Sequence, residues 1–200
     1  MSYEINETSN EVTFTYIYAD LESIIKRLIL MRSTTIINKD GVPQIDIYSM
    51  NDSDSDFYDT MIINAANNLF NQLIKLTYGV TNVIFNEDSP AQDVMMDGVG
   101  DLYEGDESGS GSDSVIVPDT TPTPEIGTIT FIIKYKTGYN TNYLIPIDNF
   151  IERYLKHSVQ KQWWESCNLN EFAEAEQVEL NVIVRKLLDG FVELRKASLS

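Results

Sequence analysis

Between Asn86 and Glu125 the chain carries eleven carboxylates and no Lys or Arg, together with five of its ten glycines and four of its six prolines. Such a stretch is not expected to build a packed element of its own. Asp101–Ser114, DLYEGDESGSGSDS, holds too little apolar surface to offset the entropy of ordering it, and Tyr103 is the only aromatic residue between 86 and 125. The composition predicts a solvated acidic tether, which as a flexible coil would span roughly 35 Å and fully stretched would pass about 100 Å. Val115, Ile116 and Val117 interrupt the acidic run, and Pro118 to Pro124 favour extended backbone. That end is expected to dock as a strand or strap on a neighbouring subunit. The ordered body must therefore be assembled from residues 1–85 and 126–200 as one α+β domain, with 86–125 as an insertion or arm.

Charge follows the same division. Of the formal net charge of −17, the segment 86–125 contributes −11, residues 1–85 contribute −6 and residues 126–200 are neutral. So acidic a chain is repelled by phosphate backbones and anionic lipid, which argues against a nucleic-acid or membrane partner. No stretch approaches the ~18 apolar residues of a spanning helix. The start, Met1-Ser2-Tyr3-Glu4-Ile5-Asn6-Glu7, places acids where a secretory leader needs a basic end and an apolar block, so export by that route is not expected. The single cysteine, Cys167, cannot form an intrachain disulfide, and the fold must rest on packing.

Periodicity outlines the ordered parts. Val12, Phe14 and Tyr16 alternate with Thr13, Thr15 and Ile17, as a strand or extended lead-in does. A first helix begins at Asp20, with Leu21, Ile24, Ile25 and Leu28 at helical steps, acids at its start and Lys26, Arg27 and Arg32 towards its end. Asp40-Gly41 suggests a turn, followed by a brief strand around Ile45 and Ile47. Met61, Ile62, Ala65, Leu69, Leu73 and Leu76 form one face of a second helix, capped from the Asp52–Asp59 cluster and ended at Gly79. Thr81–Phe85 and Gly127–Lys136 read as strands that pair antiparallel, making the acidic segment an extended hairpin connection. Gly138 and Asn140 mark a turn. Asn149-Phe150-Ile151-Glu152 has the spacing of a capping box and opens a third helix that reaches Trp163-Trp164. Asn168-Leu169-Asn170-Glu171 repeats that spacing before a long fourth helix, its apolar face assigned to Phe172, Ala175, Val178, Val182, Leu187, Phe191 and Leu194. The short connection makes the last two helices an antiparallel hairpin. The expected fold is α+β: about four helices, a small antiparallel sheet and a long acidic loop insertion.

Candidate chemistry is sparse. Asp52-Ser53-Asp54-Ser55-Asp56 begins like a calcium loop, but Phe57 stands where the turn requires glycine and Ile63 where a bidentate acid belongs, so these residues are read as helix caps. His157 has no companion histidine for a zinc site. Asp148 and Glu152 lie one helical turn apart, a spacing that suits an acid/base pair and equally suits capping. No glycine-rich phosphate cradle is present. An enzymatic role, a cofactor and a metal are therefore not expected. Adjacent helical residues differ by about 100° in direction, so Trp163 and Trp164 cannot both face the same side; either one packs inside while the other meets a partner, or a helix-hairpin core surrounds both rings.

The C-terminal half, ITFIIKYK followed by Pro146-Ile147-Asp148, a helix ending in QKQWWES, and LNEFAEAEQVELNVIVRKLLDGFVELRK, resembles neck and connector proteins of Bacteroidetes-infecting tailed phages. Together with the early ADLESIIKRLILMR helix and the Asn- and Tyr-rich composition, it is similar to the ring proteins of crAss-like phages. The resemblance covers residues 12–85 and 126–197. It implies a non-enzymatic virion protein, made in the bacterial host cytoplasm and assembled as a ring, dodecameric by analogy with portals, between the portal and other neck or tail proteins. Val12, Phe14, Tyr16, Val115, Ile116, Val117, Trp163 and Trp164 are the expected interface residues. The forty-residue acidic insertion departs from the short hairpins of that family. A second reading, an acidic protein-binding module that imitates DNA, requires carboxylates held at phosphate-like spacing on a rigid surface, whereas most of the excess charge here is on the arm.

Overall fold

The computed structural model describes residues 3–76, 80–87, 126–134 and 141–196, which form an α+β fold of two layers, helices against one face of a four-stranded antiparallel sheet. The strands are β1 (Tyr3–Asn6), β2 (Glu11–Ile17), β3 (Val80–Glu87) and β4 (Ile126–Lys134), in the spatial order β1-β2-β4-β3. On the inner face Val12, Phe14 and Tyr16 stand opposite Ile133, Phe131 and Ile129, and all six are buried. The outer face is threonine-rich, with Thr15 and Thr130 hydroxyls 3.4 Å apart and Lys134 reaching Glu11 at 3.5 Å. This is the apolar-in, polar-out alternation of a half-covered sheet. The sequence reading contained no counterpart of β1, whose four residues are too few to display a period. It is set by turn chemistry: Asn6 Oδ1 accepts the amides of Thr8 and Ser9, and Asn10 takes φ 55°.

As expected, β3 and β4 pair antiparallel, and the register ends with Glu87 opposite Ile126. The chain therefore leaves and re-enters the sheet at neighbouring points, so the acidic connection is attached at one place on the body. Gly79, Gly138, Asn140 and the Val115–Val117 segment lie outside the described residues.

Five α-helices pack on the sheet and on one another: α1 (Tyr18–Ser33), α2 (Ile45–Tyr48), α3 (Ser55–Leu76), α4 (Leu144–Ser166) and α5 (Asn170–Lys196). In α1 the buried stripe is Tyr18, Leu21, Ile25, Ile29 and Ser33, while Ile24 is left 38% exposed. The expected strand at Ile45 and Ile47 is a single helical turn, because Gln44 O captures the amides of both Ile47 and Tyr48. Before it, Asn38 Oδ1 accepts the amides of Asp40 and Val42 around Gly41, whose φ of 78° suits a glycine. Ahead of α3 a 3-10 turn, Asp52–Asp54, carries the capping bonds: Asn51 Oδ1 accepts Ser53 N–H and Asp54 Oδ2 accepts Asn51 N–H, both at 2.9 Å, so of the expected capping acids Asp54 closes this turn and not α3 itself.

The hairpin of α4 and α5 departs from the sequence reading at both helix starts. Helix α4 begins at Leu144, five residues before the proposed capping box, with Pro146 in its first turn, where a missing amide costs no helical bond. Asn168 is not the N-cap of α5. At φ 58° it closes α4 instead: Leu169 N–H bonds to Trp164 O at 2.8 Å and Asn168 N–H to Glu165 O at 3.1 Å, a left-handed C-terminal cap. The buried stripe of α5 is Ala173, Glu176, Leu180, Ile183, Leu187, Phe191 and Leu194. Ala175, Val178 and Val182, assigned above to that face, point to solvent. At Gly190 α5 runs close to α4: a Cβ added there would meet Ile147 Cγ1 at 3.2 Å.

Tyr58, at the start of α3, is fully buried against Tyr18, with ring centroids 5.2 Å apart. Among the described residues neither hydroxyl has a hydrogen-bond partner. Burial, with Glu22 adding to it, drives the Tyr58 phenol well above its ordinary range. The folded chain thus holds the Tyr58 proton where the unfolded chain releases it. Stability from this group is complete below about pH 10 and is lost as pH rises beyond that. Tyr58→Phe removes an unsatisfied buried hydroxyl and is expected to stabilise the fold by about 1 kcal/mol at neutral pH. Melting between neutral and strongly alkaline pH should also fall less in the variant than in the wild type; a destabilised variant with an unchanged alkaline slope would contradict this.

Candidate functional site

Two places on the helical layer bring polar side chains together. The first lies where α1, α4 and α5 meet. Glu176, on the inner stripe of α5, is 1% exposed; its Oε1 accepts from Arg32 Nη1 at the end of α1 and its Oε2 from His157 Nδ1 of α4 at 2.6 Å. A carboxylate paired with a guanidinium is an acceptor only, so His157 presents Nδ1–H to it. The Arg32 guanidinium also lies over the Phe172 ring, 5.2 Å from its centroid, and Phe172 tilts against Trp164 at 5.4 Å. One buried carboxylate therefore ties three helices together.

Chemically this arrangement is closed. Both carboxylate oxygens are occupied, and a cation would meet Arg32 where a third ligand should stand. Among the described residues no group of three or more His, Cys, Asp or Glu side chains converges to hold a metal. Cys167 offers no activated thiolate, since burial pushes its thiol above the usual value despite a hydrogen bond with Ser166. The paired acids of α4 do not converge either. Asp148 Oδ1 accepts Tyr16 O–H at 2.8 Å, tying β2 to the helix, while Glu152 meets Lys156 at 2.6 Å.

The second place is a cleft of about 280 Å³ between α3, α4 and α5. Its polar lining is mostly primary amides, and several are already engaged. Gln72 Nε2 donates to Tyr154 O–H at 3.2 Å, Gln162 Nε2 to Met61 O at 3.0 Å, and Gln177 Nε2 to Asn181 Oδ1 at 3.0 Å. Burial raises the Tyr154 phenol, with the Gln72 bond opposing it. Lys161 is the only charged group in the lining, and it is bound to Glu165 at 2.7 Å. The cleft holds neither a base beside a nucleophile nor a pair of acids.

The expected interface residues fare differently from the reading above. Val12 and Phe14 are 1% exposed and Tyr16 is 5%. They cannot meet a neighbour, because β2 is an interior strand paired on both edges, and these side chains fill the core beneath the helices. Trp163 and Trp164 are both buried, at 6% and 0%. Two adjacent rings can be covered at once because different elements cover them. Trp163 lies by Phe57 and donates Nε1–H to Tyr48 O at 2.9 Å, whereas Trp164 faces Phe172 of α5. Val115, Ile116 and Val117 lie outside the described residues. Sequence reasoning passes over Glu176 because it stands among four acids, Glu171, Glu174, Glu176 and Glu179, in the first turns of α5. The available signal was its position in phase with Ala173, Leu180 and Ile183.

No family model, curated protein or solved structure matches this chain.

Proposed function

We propose that this chain is a non-enzymatic structural subunit of a tailed-phage virion, forming a homo-oligomeric neck ring between the portal and other neck or tail proteins, after synthesis in the host cytoplasm. One observation carries the reading: large apolar side chains are left in solvent along one stretch of chain. Leu30, Met31, Ile37, Val42, Ile47 and Phe57 are 44–62% exposed, although they occupy only the end of α1, the α1–α3 connection and the start of α3. Such a concentration is what a subunit leaves open for its neighbours. The occupant proposed for it is the next copy of the chain in the ring, a head-to-tail contact that closes by rotation. The engaged state of Glu176, Asp148 and Glu152 and the raised Cys167 thiol support a role without catalysis. A DNA-imitating surface gains no comparable support, since Glu152, Glu165, Glu176 and Glu179 of the body are spent on internal ion pairs.

Negative-stain images and native mass measurement of the purified protein are expected to give a defined ring. Ile47→Asp, at a position 62% exposed, should abolish the ring while changing stability by no more than about 0.5 kcal/mol. A protein that stays monomeric at high concentration, alone and with neighbouring neck proteins, would overturn the proposal.

A further inference from the structure

Helix α5 has a second stripe that the body does not use. Ala175, Val178, Val182, Arg185, Asp189 and Val192 follow one another at steps of three and four residues, and every one is exposed. Val178 is 62% exposed, Val182 43% and Val192 50%. A β-branched side chain loses rotamer freedom in a helix, and valine on a solvent face gets no packing in return. Alternation of three and four is instead the spacing of a coiled-coil seam. Two opposite charges interrupt the valines. Among the described residues neither Arg185 nor Asp189 makes an ion pair, although neighbours off the stripe are engaged: Glu179 with Arg153 at 3.7 Å and Lys186 over the Phe150 ring at 5.6 Å.

We propose that this stripe pairs with the same stripe of a second copy of the chain, as an antiparallel two-helix seam. The pattern selects both direction and register. With the twofold axis midway between Arg185 and Asp189, Arg185 of each copy faces Asp189 of the other, and Val182 of each faces Val192. Two ion pairs at the centre are thus flanked by two valine layers. A parallel pair would set Arg185 against Arg185 and Asp189 against Asp189. Sliding the antiparallel pair by one heptad sets Val182 against Arg185 and Val178 against Asp189 in one direction, and Asp189 against Val192 in the other. Of these registers only the central one matches charge with charge and apolar with apolar across the four positions Val182, Arg185, Asp189 and Val192. At the seam's edges Glu179 faces Glu193 and Lys186 faces Lys186, and a single helix seam buries less than the ~1,200 Å² of a stable complex. The contact is therefore weak and concentration-dependent. It is isologous and closes at two copies, so it goes beyond the head-to-tail ring proposed above and stands without it.

The test is charge reversal in the full chain, read by sedimentation velocity across a hundredfold range of concentration. The wild type is expected to move from one mass to twice that mass, or from a ring to paired rings. Arg185→Asp and Asp189→Arg should each weaken that step at least about 10-fold, and the double variant should restore it. Both positions are exposed, so melting should not change. A second readout fixes the register: in a Cys167→Ser background, Val182→Cys with Val192→Cys should oxidise to a covalent dimer, and Val182→Cys alone should not. An unpaired wild type, or association indifferent to both single reversals, overturns the seam. Loss of the ring in Ile47→Asp with the α5 step intact would leave the seam standing and separate it from the ring contact.

Discussion

Trp164→Ala is expected to lower the stability of the folded chain by about 3–5 kcal/mol, a large part of what a domain of this size has in total. Trp164 is completely buried, and its ring fills the end of the α4–α5 hairpin against Phe172. Its carbonyl also accepts the Leu169 amide that closes α4, so the cavity would open beside the turn that sets the hairpin angle. Melting should fall by roughly 10 °C. A milder pair of variants separates the two tryptophans. Trp164→Phe removes an indole N–H that has no partner among the described residues, so part of the lost packing is repaid and the net cost should be about 1–2 kcal/mol. Trp163→Phe removes the bond to Tyr48 O as well as ring volume, and should cost more. The opposite order, or wild-type melting for Trp164→Ala, would refute the core assignment and return Trp164 to the surface.

Breaking the buried carboxylate's ion pair should be nearly as costly, and the loss should depend on which partner is removed. Arg32→Met leaves Glu176, 1% exposed, with His157 as its only remaining partner, and is expected to cost about 2–3 kcal/mol. Glu176→Met takes away the desolvated charge itself. Arg32 and His157, with side chains 36% and 24% exposed, can then recover hydration, so the loss should stay within about 1 kcal/mol. The double variant should be close to Glu176→Met. Chemical denaturation of the four proteins closes the cycle, and a coupling near zero would mean that the pair contributes nothing beyond ordinary surface electrostatics.

Much of the body was legible in the sequence because local patterns carried it. Leu21 and Ile25 at helical spacing, Met61 to Leu73 on one face, and the alternation through Val12, Phe14 and Tyr16 each report geometry around a single element. The β3–β4 pairing followed from two β-rich segments flanking an acidic, Gly- and Pro-rich stretch. The errors share one cause. Periodicity gives the direction in which a side chain points and says nothing of what lies there. Alternation placed Val12, Phe14 and Tyr16 on one face, but only the helices packed over the sheet show that this face is interior. The angle between Trp163 and Trp164 left two readings, one ring at a partner or both inside the core, and the structure takes the second, because α2 and α5 cover the rings from different sides.

The sequence by itself determined an α+β fold ending in a helical hairpin, because each of its elements carries its own period, and it offered no familiar catalytic or metal-binding spacing. Tertiary structure alone decided which of two apolar stripes on α5 would be buried, and that Glu176 would join Arg32, 144 residues earlier, to His157. Those outcomes depend on contacts between elements far apart in the chain, and a contact of that kind leaves no local period to read.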